Sequence, residues 1–176
     1  LLIQSIEDQL NGPAPLEDPL NTRRQILKDF LETIDNLGTG THTALFQALK
    51  SSHSLVRSMA LQALSRCARE LIVTGAQCSL VMDCLQDSDG KIRYQAADLL
   101  RALGRRAKAS TAALSYRLSD PDRNVRIMCL LALRKMGPGE GCVDMLLRSL
   151  KDPEKLVRYW SARVLGEMGV LARDAR

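Results

Sequence analysis

The sequence predicts an all-α fold, a solenoid of stacked helix pairs, and three observations carry that prediction. Four segments of similar pattern recur along 176 residues: "KSSHSLVRSMALQALSRCA", "QDSDGKIRYQAADLLRALG", "DPDRNVRIMCLLALRKMG" and "KDPEKLVRYWSARVLGEMG". Aligned on Arg57, Arg93, Arg126 and Arg158, they are spaced by 36, 33 and 32 residues, a period typical of helical repeats. Aromatic residues make up only 3% of the chain, so its cores must be built from Leu, Ala, Val and Met, which stacked helices permit.

The register holds at five positions. Leu49, Leu85, Leu118 and Leu150 stand eight residues before the arginines, and Val56, Ile92, Val125 and Val157 immediately before them. Leu64, Leu100, Leu133 and Leu165 follow at +7, and the small residues Ala68, Gly104, Gly137 and Gly169 at +11. Each unit therefore reads as a shorter helix A, a tight turn and a longer helix B. The turns carry "DSDG" or "DP", where Asp satisfies open amides and Pro is tolerated in a first helical turn. A glycine after the last apolar residue suits a helix end. The expected units are about 41–74, 75–107, 108–139 and 140–172.

Residues 1–40 leave this register. They read as two helices joined by a Pro-rich linker at 11–20, where Pro13, Pro15 and Pro19 break any helix. A degenerate first unit or cap is expected there, since terminal units of solenoids are commonly atypical. The chain starts without methionine and reads as a piece of a longer protein.

The pattern of Leu, Asp, Val-Arg, Ala and Leu-Gly resembles the HEAT-repeat family, especially its short PBS-lyase-like form, over residues 41–172. The resemblance implies a right-handed α-α superhelix with helix B on its concave side. It also implies an Asp–Arg ladder between neighbouring units. Asp87, Asp120 and Asp152 precede Arg93, Arg126 and Arg158 by six residues, which pairs them in that order. Ser51 replaces the Asp before Arg57, so the weakest contact is expected at that arginine. A guanidinium offers five donors in a fixed fork, the inventory that buried turn carbonyls and carboxylates need.

On the helix-B wheel, positions −1, +3, +6, +7, +10 and +11 form the core arc, and +1, +5, +8 and +12 oppose it. Tyr94, Ile127 and Tyr159 at +1 and Leu131 at +5 stand where a solvated helix would place polar groups. With Trp160 at +2 they are the candidate protein-binding residues, an apolar surface edged by tyrosines.

Charge is uneven. Residues 1–40 hold three Lys/Arg against seven Asp/Glu, and the remainder holds 22 against 13. Arg66, Arg69, Arg101, Arg105, Arg106, Lys108, Arg134 and Lys135 form a basic ridge late in helix B and just beyond it. Most of these suit the negative end of a helix dipole, so nucleic acid is a possible but not a favoured partner.

No P-loop, nucleophile elbow or zinc-protease motif occurs, and neither His42 nor His53 precedes a Glu, as in the His-Glu pairs of the HEAT-repeat metalloenzyme deoxyhypusine hydroxylase. No catalytic, cofactor-binding or metal-binding residue is expected, and no enzyme. Five cysteines without metal spacing or an even count read as free thiols of an intracellular, cytoplasmic protein. No apolar run reaches the ~18–20 residues that cross a bilayer. The expected role is a protein-protein scaffold using the helix-B face. The alternatives are a nucleic-acid-binding module and a structural spacer or homo-oligomer joined through open repeat ends.

Overall fold

The computed structural model describes residues 41–174 together with Asp8. The helix pair and linker expected within residues 1–40 lie outside the described residues. The described chain is all-α and forms four successive helix pairs: α1 Thr41–Ala48 with α2 Ser54–Arg66, α3 Gly75–Cys84 with α4 Gly90–Leu103, α5 Thr111–Tyr116 with α6 Arg123–Met136, and α7 Val143–Ser149 with α8 Lys155–Asp174. The first member of each pair is short, 6 to 10 residues, and the second runs 13 to 20. Short 3-10 segments flank α5 and precede α7. Each short helix packs on its own long partner, and the long helices lie side by side in the order α2, α4, α6, α8.

Local chemistry sets the helix starts. Thr74 and Gln77 form a reciprocal capping box at α3, while the Asp89 and Asp122 carboxylates accept the Lys91 and Asn124 amides at the starts of α4 and α6. Gly104 and Gly137 end α4 and α6 with φ of +58° and +80°, a region that glycine enters without a Cβ penalty. Gly169, expected at a helix end, lies inside α8. No left-handed turn is made there, and glycine in a helix costs only about 1 kcal/mol relative to Ala.

The helix-B core is wider than one arc. Positions −1, +3 and +6 are buried in all four long helices. Position +4 is buried too, with Leu61, Ala97 and Leu130 fully covered and only Ala162 exposed. Position +2 sinks into the core at Met59 and Met128. A long helix with neighbours on both sides buries two flanks in addition to the stripe facing its own short helix.

The ladder runs between units. Arg57 Nε donates to Asp87 at 2.7 Å, Arg93 Nε and Nη2 donate to both oxygens of Asp120 at 2.7 and 2.9 Å, and Arg126 Nη2 donates to Asp152 at 3.0 Å. Arg126 Nε also stands 2.8 Å from Asp152, too poorly aligned to donate, so that contact is an ion pair without a hydrogen bond. Each carboxylate thus meets the arginine of the preceding unit. Within a unit, the contact runs from arginine Nη1 to backbone carbonyls: Ser51 and Ser52 for Arg57, Asp87 and Ser88 for Arg93, Asp120 and Pro121 for Arg126, Asp152 and Pro153 for Arg158. The pairing of Asp87 with Arg93, Asp120 with Arg126 and Asp152 with Arg158 is corrected accordingly. Six residues separate each arginine from the turn that it staples, and the carboxylate of that turn points back toward the unit before. Arg57 therefore has its carboxylate despite Ser51, whereas Arg158 has none among the described residues.

The same carboxylates close their own turns by accepting the amide two residues on, in Asp89, Asp122 and Glu154. Ser51 Oγ does this for His53. Burial alone would raise the carboxyls of Asp87 and Asp120. The arginine hydrogen bonds (Arg57 and Arg93, respectively), the turn amides and the nearby guanidinium charges outweigh it and hold both below the usual carboxylate range.

Breaking a buried pair from one side leaves a stranded charge, which costs about 3–5 kcal/mol. Arg126→Ala and Arg57→Ala should each approach that loss, while Arg158→Ala should cost only about 1 kcal/mol for its carbonyl bonds. Urea denaturation with unchanged m-values measures all three; a loss at Arg158 equal to that at Arg126 would sink the cross-unit assignment. Depressed native carboxyls mean that the unfolded chain binds protons more readily in acid. Stability from Asp87 and Asp120 should be complete above the unfolded value of about 3.9 and disappear as pH falls through their lower folded values. Asp120→Asn should flatten the decline of the urea midpoint below about pH 4, and a curve parallel to wild type would exclude Asp120 as its source.

Candidate functional site

The face built from α4, α6 and α8 holds the chemistry that the core and ladder leave over. Tyr94, Ile127 and Tyr159 occupy the same +1 register on three long helices packed in succession. Tyr94 is 36% exposed and Tyr159 50%, whereas Ile127, Leu131 and Trp160 are half-buried against the core. An apolar floor between two exposed tyrosines replaces the expected open patch, because the closely set helices cover the aliphatic side chains between them. The stripe does not continue onto α2, where Ser58 at +1 is buried and accepts a hydrogen bond from Gln62 Nε2 at 3.2 Å.

Arginines sheathe the aromatic end. The Arg134 and Arg163 guanidinium carbons lie 5.6 and 5.8 Å from the Trp160 ring centre, and the Tyr159 ring meets Trp160 edge-on at 5.1 Å and 74°. Arg163 also donates to the Tyr159 hydroxyl at 3.1 Å. Glu167 takes Arg134 Nε at 2.7 Å and stands 3.8 Å from Arg163. Arg163 was not singled out from the sequence. Its signal was the i,i+4 spacing to Tyr159 on one side and Glu167 on the other.

The basic ridge divides by what each cation touches. Arg106 reaches back to the preceding unit and donates to the carbonyls of Ala68 at 2.6 Å and Leu71 at 2.8 Å, so it closes the chain after α2. Arg101 is held by Asp98 within α4, and Arg134 by Glu167. Arg66 ends α2 and Arg69 lies just beyond it, and both are exposed. Arg69, Arg105 and Lys135 have no carboxylate partner among the described residues. Arg105 and Lys135, with Arg134, Arg163, Glu167 and two glycines, line a cleft of about 520 Å³ beside Trp160.

Cys78, Cys84, Cys129 and Cys142 are buried free thiols, and burial pushes those of Cys78 and Cys129 up and that of Cys84 to about 11. Cys67 donates to the Ala63 carbonyl at 3.2 Å within its own helix. Among the described residues, no group of three His, Cys, Asp or Glu is placed to hold a metal ion. No described helix is long and apolar enough to cross a membrane.

Comparison with known proteins gives the same architecture. Residues 111–175 match the family model of HEAT repeats. In structure the chain is similar to an engineered protein, with TM-score 0.66 and 19% identity over 83% of this chain and 67% of that one. It is similar to the complex of CpcE and CpcF of phycocyanin lyase from Nostoc sp. PCC7120, with TM-score 0.62 and 19% identity over 90% of this chain and 66% of that one. It is also similar to a designed armadillo repeat protein in complex with the peptide (KR)4, with TM-score 0.60 and 15% identity over 97% of this chain and 87% of that one. The chain spans 40% of a second engineered protein that it resembles. No curated protein matches it in sequence. At such identities the structural likeness is one of fold. Residues 111–175 thus match HEAT repeats, and the described chain shares the helical-repeat solenoid fold of the solved structures that it resembles.

Proposed function

We propose that this chain is a non-catalytic scaffold module that binds a segment of a partner protein on the face formed by α4, α6 and α8, the concave side in HEAT arrays. The observation that carries the reading is the stripe itself. Tyr94, Ile127 and Tyr159 at +1, with Leu131 at +5 and Trp160 at +2, remain partly open on adjacent helices, while every apolar residue at −1, +3 and +6 is sealed in the core. Neighbouring helices lie about 10 Å apart, so one peptide crossing them would touch several of these side chains at once. Rigid aromatic anchors of this kind supply most of the affinity of small interfaces. The peptide complex of the designed armadillo protein supports the choice of ligand class. The free thiols suit a reducing, intracellular setting.

The nucleic-acid reading is weaker. Arg101 is paired with Asp98 and Arg106 spends its donors on backbone carbonyls, which thins the row of cations available to a phosphate backbone.

Changing Tyr94 and Tyr159 together to Ser should leave the melting temperature within a few degrees of wild type, because both side chains lie outside the sealed core. Each truncated anchor should cost about 1–2 kcal/mol of binding, enough to abolish capture of a micromolar partner. The experiment compares wild-type and double-mutant protein as bait, each with its thermal melt. A folded double mutant that retains every specific partner would place the binding surface elsewhere.

A further inference from the structure

The cleft beside Trp160 has a charge that the protein itself does not neutralise. Arg105, Arg134, Lys135 and Arg163 face one carboxylate, Glu167. The C-terminal end of α6 adds about half a negative charge, so a surplus of roughly two and a half positive charges remains. We infer that the segment bound on this face is acidic: a peptide carrying several carboxylates with apolar residues interleaved, its carboxylates seated on these four cations and its apolar residues on the tyrosine stripe. This deepens the proposed function and rests on it.

The arginines are arranged to receive carboxylates. Glu167 and Trp160 hold the Arg134 guanidinium, while Tyr159, Trp160 and Glu167 hold that of Arg163. Each spends a single hydrogen bond on these contacts, so most of its five donors remain open in a fixed orientation. Preorganised forks lose little freedom when a ligand arrives. Arg105 and Lys135 are exposed, with no carboxylate partner among the described residues. Gly137 and Gly166 leave the walls bare, with nothing within 4 Å of where a Cβ would stand on either.

The same contacts disfavour a nucleic acid. Sequence-tolerant binding of single strands depends on aromatic faces free to stack bases. Here the sole tryptophan carries two guanidinium groups over its ring and a tyrosine against it. The polarity is also opposite to that expected for a (KR)4-type ligand, the peptide held by the similar designed protein.

The test uses the full chain and fluorescence anisotropy with four labelled probes at one moderate ionic strength. They are the octapeptides (Asp-Leu)4, (Asn-Leu)4 and (Lys-Leu)4, and the single strand dT12. The acidic peptide should bind at least tenfold more tightly than the other three, and its affinity should fall as salt rises. Arg105→Gln with Lys135→Gln should weaken it about tenfold without changing the thermal melt. Gly166→Glu should also weaken it about tenfold while maintaining or raising the melting temperature, since glutamate is the better helix former. Loss of binding in that variant therefore cannot come from unfolding. Equal binding of the acidic and neutral peptides, lost in the Tyr94→Ser/Tyr159→Ser variant, would overturn the acidic assignment and keep the binding face. Tighter binding of dT12 that is lost in the glutamine variant would overturn it in favour of nucleic acid. No peptide binding of any charge, or binding indifferent to all three variants, would overturn the face as well.

Discussion

The guanidinium of one unit held by the turn carboxylate of the next is the contact on which the architecture depends. A buried ion pair adds little net stability by itself, because desolvation offsets the Coulomb gain. Its value here is geometric. Arg93 uses two donors on Asp120 and two on the carbonyls of Asp87 and Ser88, so one side chain ties its own turn to the following one. Asp120 in turn accepts the Asp122 amide and so shapes the entry to α6. The turn, the helix start and the offset between units are set by one linked set of bonds. A shift between the units joined by Arg93 and Asp120 would strand charges with side chains no more than 11% exposed.

Much of this was legible in the sequence, and the part that was not has a physical cause. Spacing identified the ladder residues because Arg must follow its turn by a constant number of residues to reach the carbonyls. Spacing could not identify the carboxylate partner. An Asp six residues back and an Asp about thirty residues ahead are both candidates on paper, and only the stacking of units brings the second within 2.7 Å. The wheel failed for a related reason. It measured one helix against one partner, so it missed the +4 column, where Leu61, Ala97 and Leu130 are sealed by neighbours on either side. The half-burial of residues 127 and 131 depends on how closely adjacent helices lie, which no single-helix pattern encodes.

The ridge of cations seen in the sequence was one class by charge and is several by contact. Arg106 serves the carbonyls of the preceding unit, Arg101 serves Asp98, and Arg134 and Arg163 serve Trp160 and Glu167. Helix-dipole arguments explain why cations gather in that stretch of the repeat, since every last turn presents unsatisfied carbonyls. They do not distinguish a cation that has found protein carbonyls from one that has not.

Donor count makes that distinction. A guanidinium has five N–H groups, and those of Arg93 already make four hydrogen bonds inside the fold. Arg93 therefore has little to offer a ligand even where solvent reaches it. Arg134 and Arg163 spend one bond each and are otherwise held by ring faces, which orient a guanidinium without consuming its donors. Aromatic residues on this face thus have two effects: they supply apolar contact area, and they keep two cations fixed but unsaturated. A chain with 3% aromatic residues places Tyr159 and the sole Trp160 side by side on α8, where they hold the two arginines that line the cleft. That coincidence of open donors, fixed orientation and a neighbouring apolar stripe is what favours the proposed binding role over an ordinary solvated helix end.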